Sequence, residues 1–174
     1  RKPEWLALRD AIGQSGNLGG VGKWMAGGKA PFGFQDAWRD AILTRQQAYR
    51  GWLTAYGLPH CLPGNDGLHP FGWRHTLDWH GKPVHLIGLD SAWLAGDDHD
   101  VKQLCLTDDQ IGRLLTTQDG AQLTGSRIVL VHHPLGEIAD GKAARHLLAG
   151  FGVHLLLHGH VHDPDYQRWQ HPNH

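Results

Sequence analysis

Three short apolar runs, each ending in a polar, metal-competent side chain, constrain this chain most. They are Val84-His-Leu-Ile-Gly-Leu-Asp90, Arg127-Ile-Val-Leu-Val-His132 and Val153-His-Leu-Leu-Leu-His158. Each has the length of a buried strand and no helical spacing. The segments between them are long enough for helices. Thr107-Asp-Asp-Gln110 reads as a capping box that opens a helix running through Leu115. A second helix fits Gly141 to Ala149. Strand, helix, strand, helix, strand is the pattern of an α/β fold.

The first 57 residues read differently. Glu4 to Ile12 predicts a short helix with Trp5, Leu6, Leu8 and Ile12 as its apolar positions. Gly13 to Gly33 is rich in glycine and predicts a loop. From Gln35 to Tyr56, the residues Trp38, Ile42, Tyr49, Leu53 and Tyr56 recur at spacings near three and four, which predicts one helix, with Gly57 at its C′ position. No repeat, low-complexity tract or linker interrupts the chain. The expectation is a single domain over 1–174, with a helical and loop region at 1–57 and an α/β core at 58–166.

Composition excludes several functions. Net charge is −1 with His neutral, so nothing selects for nucleic acid or an anionic membrane. No apolar run approaches the roughly 20 residues of a membrane span. Two cysteines, Cys61 and Cys105, are too few for a disulfide framework. No signal-peptide pattern stands at the start. These features lead us to expect a cytoplasmic protein. The 15 His are in excess, and imidazole is the commonest metal ligand at neutral pH.

Ligands collect at the carboxyl ends of strands in open α/β sheets. Three segments offer nitrogen or oxygen ligands beside Gly or Pro. In His158-Gly159-His160-Val161-His162, two imidazoles two residues apart project to one side if the chain is extended. In Val131-His132-His133-Pro134, two imidazoles end a strand and Pro134 fixes the exit. In Leu62-Pro-Gly-Asn65-Asp66, the Asn65 amide oxygen can ligate a hard or borderline metal, although Asn is also an ordinary turn residue. Asp97-Asp98-His99 reads as an acidic surface loop, and Trp73, Trp79 and Trp93 as packing residues, the alternative being aromatic faces on which a nucleobase could stack.

In this order, Gly-Asn, His-His-Pro and Gly-His-x-His resemble the second half of the calcineurin-like metallophosphoesterase signature. Ile87-Gly-Leu-Asp-Ser-Ala92 and Leu130-Val-His-His-Pro-Leu135 are similar to that family too. The resemblance implies an α+β fold, a sandwich of two mixed β-sheets flanked by helices. It implies two divalent metal ions, Mn, Fe or Zn, and a metal-bridging hydroxide that attacks phosphorus in a phosphomonoester or phosphodiester. Carried over by position, Asn65, His132 and His160 would share one metal and His162 would ligate the other. The family's Asp-x-His and Gly-Asp motifs do not occur before Asn65, and residues 1–57 contain no His. The expectation is therefore a domain truncated at its N-terminal side, binding metal weakly as it stands. The family's His after Gly-Asn is replaced by Asp66, so the candidates for proton transfer are Asp66, His69 and His133, although Asp66 also reads as an ordinary turn residue beside Gly67 and His133 as a support behind a ligand. A rival expectation is a non-catalytic metal-dependent binding module on the same fold. A third is a His-rich chain that captures metal at no particular place.

Overall fold

The computed structural model describes residues 4–15, 18–64, 66–97 and 99–161. Helices α1 (Glu4–Ser15), α2 (Leu18–Met25), α3 (Asp36–Arg45) and α4 (Gln47–Ala55) come first. Strands β1 (Gly72–Trp79) and β2 (Lys82–Leu89) form a hairpin. Helix α5 (Asp108–Leu115), strand β3 (Ser126–Val131), helix α6 (Gly141–Gly150) and strand β4 (Leu155–His158) follow. The sheet has the order β1-β2-β3-β4. β1 pairs antiparallel with β2, and β2, β3 and β4 run parallel. The architecture is thus mixed α/β, a four-stranded mixed sheet flanked by helices. The described residues hold this one sheet; the second sheet of the expected sandwich is not found among them.

The three expected strands and the two helices between them stand where their patterns placed them, but β4, expected to be buried, is an edge strand with Leu155 and Leu157 about half exposed. One face of the sheet carries Ile87, Leu89, Val129 and Val131, all nearly inaccessible. Against this core pack Ile111, Leu114 and Leu115 of α5 and Ala144 and Leu148 of α6. Burial of this kind contributes roughly 25 cal/mol per Å² of apolar surface. Thr107 caps α5 as expected, its hydroxyl accepting from Gln110 N–H at 3.3 Å. The second half of the capping box does not form. The Gln110 amide instead accepts from Asp90 N–H at 2.9 Å and donates to Leu106 O at 2.8 Å, tying the end of β2 to the start of α5.

Two expectations for the N-terminal region need correction. The glycine-rich stretch 13–33 is not all loop, because α2 forms inside it. Val21, Trp24 and Met25 are buried in the core, and that burial outweighs the poor helix propensity of the glycines. Gly22 permits the approach, since a Cβ there would lie 2.6 Å from the Thr107 hydroxyl. The single helix expected over 35–56 is two helices meeting at Gln46. At this junction the Gln46 amide donates to Asp90 Oδ2 at 3.0 Å, a contact that 3.6-residue spacing does not encode. The apolar stripe is also split. Ile42 and Leu53 are buried, whereas Tyr49 and Tyr56 are exposed and stack about Trp52.

The remaining features of the sequence fall into place simply. Both cysteines are free thiols. Among the described residues, no helix is long and apolar enough to cross a membrane. Asp97 and Asp100 pair with the buried Arg9 guanidinium at 3.2 and 2.5 Å, so part of the acidic loop anchors α1. Trp93 is a core residue as expected, its indole N–H bonded to Cys105 O at 2.7 Å, whereas Trp79, also expected to pack, is exposed at the hairpin end.

Candidate metal centre

β3 and β4 end flush, with Val131 opposite His158. The pairing continues one step further, as Gly159 N–H donates to His132 O at 3.0 Å. His132 and His160, each just beyond its strand, are thereby held side by side. The chain then turns sharply. Val161 N–H donates to Gly159 O at 2.8 Å, and His160 between them has φ of +69°. This is a γ-turn of the strained, positive-φ kind, rare for a residue with a Cβ. The two-residue spacing of His160 and His162 was expected to act through an extended backbone. The turn instead centres on His160, so the alternation argument does not apply there.

The strained turn brings His160 Nδ1 to 3.2 Å from His132 Nε2. His133 completes a cluster in which one nitrogen from each imidazole lies within 4.8 Å of the others. Two nitrogens on one tetrahedral zinc stand about 3.4 Å apart, given Zn–N bonds of about 2.1 Å. The His132–His160 pair already has that spacing, and the third imidazole needs only a small closure.

Each outer partner orients a ring. His133 is nearly buried; its Nδ1 is 2.8 Å from the Ser91 hydroxyl, which also accepts from His133 N–H at 3.1 Å. That leaves His133 Nε2 for the cluster. His160 Nε2 is 3.5 Å from Glu137 Oε2, which leaves Nδ1 for the cluster. A carboxylate or hydroxyl behind a ligating imidazole is the usual way a tautomer is set. Burial, and then the neighbouring His132 and His160, lower the pKa of His133 and favour its neutral, ligating form.

Asp90, at the carboxyl end of β2, lies on the other side of Ser91. It accepts from Ala92 N–H at 2.8 Å and from Gln46. Burial of the carboxyl pushes its pKa up to about 6, against these two hydrogen bonds. A cavity of about 660 Å³ opens beside it and runs to His132.

The structure brings together three of the seven residues singled out by sequence. His132 and His160 meet as expected of ligands to one metal. His133, expected in proton transfer, joins them as a possible third ligand. Asn65 and His162 lie outside the described residues, although Pro63 lines the same cavity as His132. Asp66 and His69 are not drawn to the cluster. Asp66 is exposed and accepts from Leu68 N–H at 3.0 Å, a local turn bond. His69 is buried, its Nδ1 accepting from Phe71 N–H at 3.2 Å and its Nε2 lying 3.8 Å from Asp109 Oδ2. Burial, followed by the positive Arg113, lowers its pKa to about 4.

Sequence reasoning missed Ser91, Glu137 and Asp90. Asp90 had a signal, since it ends an apolar strand at the edge where ligands collect. Glu137 had a weaker one, standing three residues after Pro134, whose fixed φ starts a short 3-10 turn over Leu135–Glu137. Ser91 had none. No family model, no curated protein and no solved structure matches this chain.

Proposed function

We propose that this chain is a metal-dependent hydrolase of phosphate esters, mono- or diesters, on a calcineurin-like fold. The observation that carries the reading is the convergence of His132, His133 and His160 from two parallel strand ends, in the order the resembling motifs require. The donor set fits a borderline divalent cation such as Zn, Mn or Fe: three imidazoles, two of them, His133 and His160, oriented from behind by Ser91 and Glu137. When bound, such a cation would neutralise the phosphoryl oxygens and lower the pKa of a water. His132, His133 and His160 would hold it, Ser91 would keep the His133 ring aimed and Glu137 the His160 ring, and by the resemblance Asn65 would join the same ion and His162 would ligate a second. In the hydrolysis, water oxygen bonds to phosphorus, the ester P–O bond breaks and the alcohol leaves with a proton.

A binding module that uses metal without catalysis is the second reading. It is favoured by the placement of Asp66 and His69, two of the three expected proton-handling groups, away from the imidazoles.

Hydrolysis of para-nitrophenyl phosphate and its bis-ester, with Mn(II) or Zn(II), separates the two. The phosphoesterase reading expects metal-dependent release of para-nitrophenol that His160→Ala abolishes. Metal bound stoichiometrically with no release from either ester would leave the binding module.

A further inference from the structure

The register of the sheet puts Trp73, Gly88, Leu130 and Leu157 in one row across all four strands, on the face away from the core. Buried parallel strands normally have both faces covered. Here the face stays partly open, with Leu157 about half exposed. Gly88 is what lets the row lie flat, since a Cβ there would be 2.2 Å from Trp73 Nε1. The Trp73 indole therefore lies across the backbone of β2 and makes a planar floor. Tyr49 of α4 also lines this space. This is the cavity of about 660 Å³ that reaches His132, and its size is that of an ordinary small-molecule site. Its principal charged acceptor is the Asp90 carboxylate, fixed by Gln46 and Ala92 N–H.

Resting on the phosphoesterase reading, we infer that this cavity receives the alcohol part of the ester and selects a flat aromatic group carrying an N–H donor. The ring lies on Trp73 between Leu130 and Leu157, and the N–H reaches Asp90. The phosphate then falls at the His132 end, beside the imidazoles. Flat rings gain from offset stacking on an indole, and a carboxylate at the polar end of the cavity, where Arg45 and Gln46 also line it, rewards a donor and penalises its absence.

The test uses non-hydrolysable probes on the zinc-loaded chain. Phenylphosphonate is expected to bind about 10- to 50-fold more tightly than methylphosphonate, from the apolar area a ring buries. An aminophenyl phosphonate should gain about a further 10-fold, lost in Asp90→Asn, as expected for a donor to a partly buried charged acceptor. Leu157→Trp fills the cavity from an exposed position that tolerates a larger side chain, and should bring the phenyl-to-methyl ratio toward one. Aniline alone tests the cavity apart from any phosphate chemistry. Saturable quenching of tryptophan fluorescence by aniline, abolished in Leu157→Trp, supports the inference even if no phosphonate binds. Equal affinity for phenyl- and methylphosphonate overturns it while leaving the phosphoesterase reading intact. Aniline quenching that never saturates overturns it as well.

Discussion

Removing the Ser91 hydroxyl strikes the imidazole cluster without touching a ligand. Ser91 is fully buried, and its oxygen is bonded to both the backbone N–H and Nδ1 of His133. Ser91→Ala leaves that buried N–H without an acceptor, at a cost of about 1–3 kcal/mol in folding free energy. It also frees the ring to rotate or change tautomer. Loss of such an outer partner typically weakens metal binding about 10- to 100-fold. Linkage turns this into a stability measurement. At zinc set to 100 times the wild-type Kd, binding adds about 2.7 kcal/mol to wild type, and only about 0.4–1.4 kcal/mol to the variant. Urea denaturation of both proteins, with and without zinc, reads the two effects separately. A variant as stable as wild type without zinc, and stabilised by zinc to the same extent, would refute the argument that Ser91 holds His133 for the metal.

Three further outcomes follow from other parts of the structure. Glu137→Gln should lower zinc affinity about 10-fold in calorimetry with little loss of stability, because Glu137 is partly exposed and acts through His160 Nε2. Gly88→Ala should cost about 1–3 kcal/mol in urea unfolding, because its Cβ displaces the Trp73 ring; an unchanged midpoint would contradict the close approach. His69 has a folded pKa of about 4 against an ordinary 6.5, so between these values the unfolded chain binds more protons and stability falls as pH falls. Unfolding of wild type and His69→Gln from pH 7.5 down to 4.5 should show the wild-type advantage shrinking below about pH 6.5, and an advantage constant with pH would count against burial of the neutral imidazole.

β2 and β3 were legible because strands buried against helices carry short apolar runs, as at Ile87–Leu89 and Val129–Val131; β4 was found by the same apolar signal although its Leu155 and Leu157 lie half exposed at the sheet edge. α5 was legible from its capping threonine. β1 was not singled out, because Gly72–Trp79 is half exposed and mixes Arg74, His75 and Asp78 with its apolar residues. α2 was hidden by three glycines that tertiary packing at Val21 and Trp24 overrides. In the candidate site, His132 and His160 were legible from their places just after strands. The route by which they meet was not, because it depends on a positive φ at His160 and on the flush register of β3 and β4. Ser91 and Glu137 act across 42 and 23 residues of chain, respectively, and spacing within a motif carries no signal of such partners. The Asp66–His69 turn misled for a related reason. Its neighbours are set by α2 and α5, which pack beside His69 and fix where it points.

The most direct measurement is a calorimetric titration of Zn(II) into the metal-free chain and into His132→Ala, His133→Ala and His160→Ala. One tight equivalent is expected at these imidazoles in wild type, weakened at least about 10-fold by each substitution. With 15 histidines in the chain, a diffuse His-rich surface would also take up zinc. Uptake of that kind, indifferent to all three substitutions, would contradict a metal centre at the ends of β3 and β4.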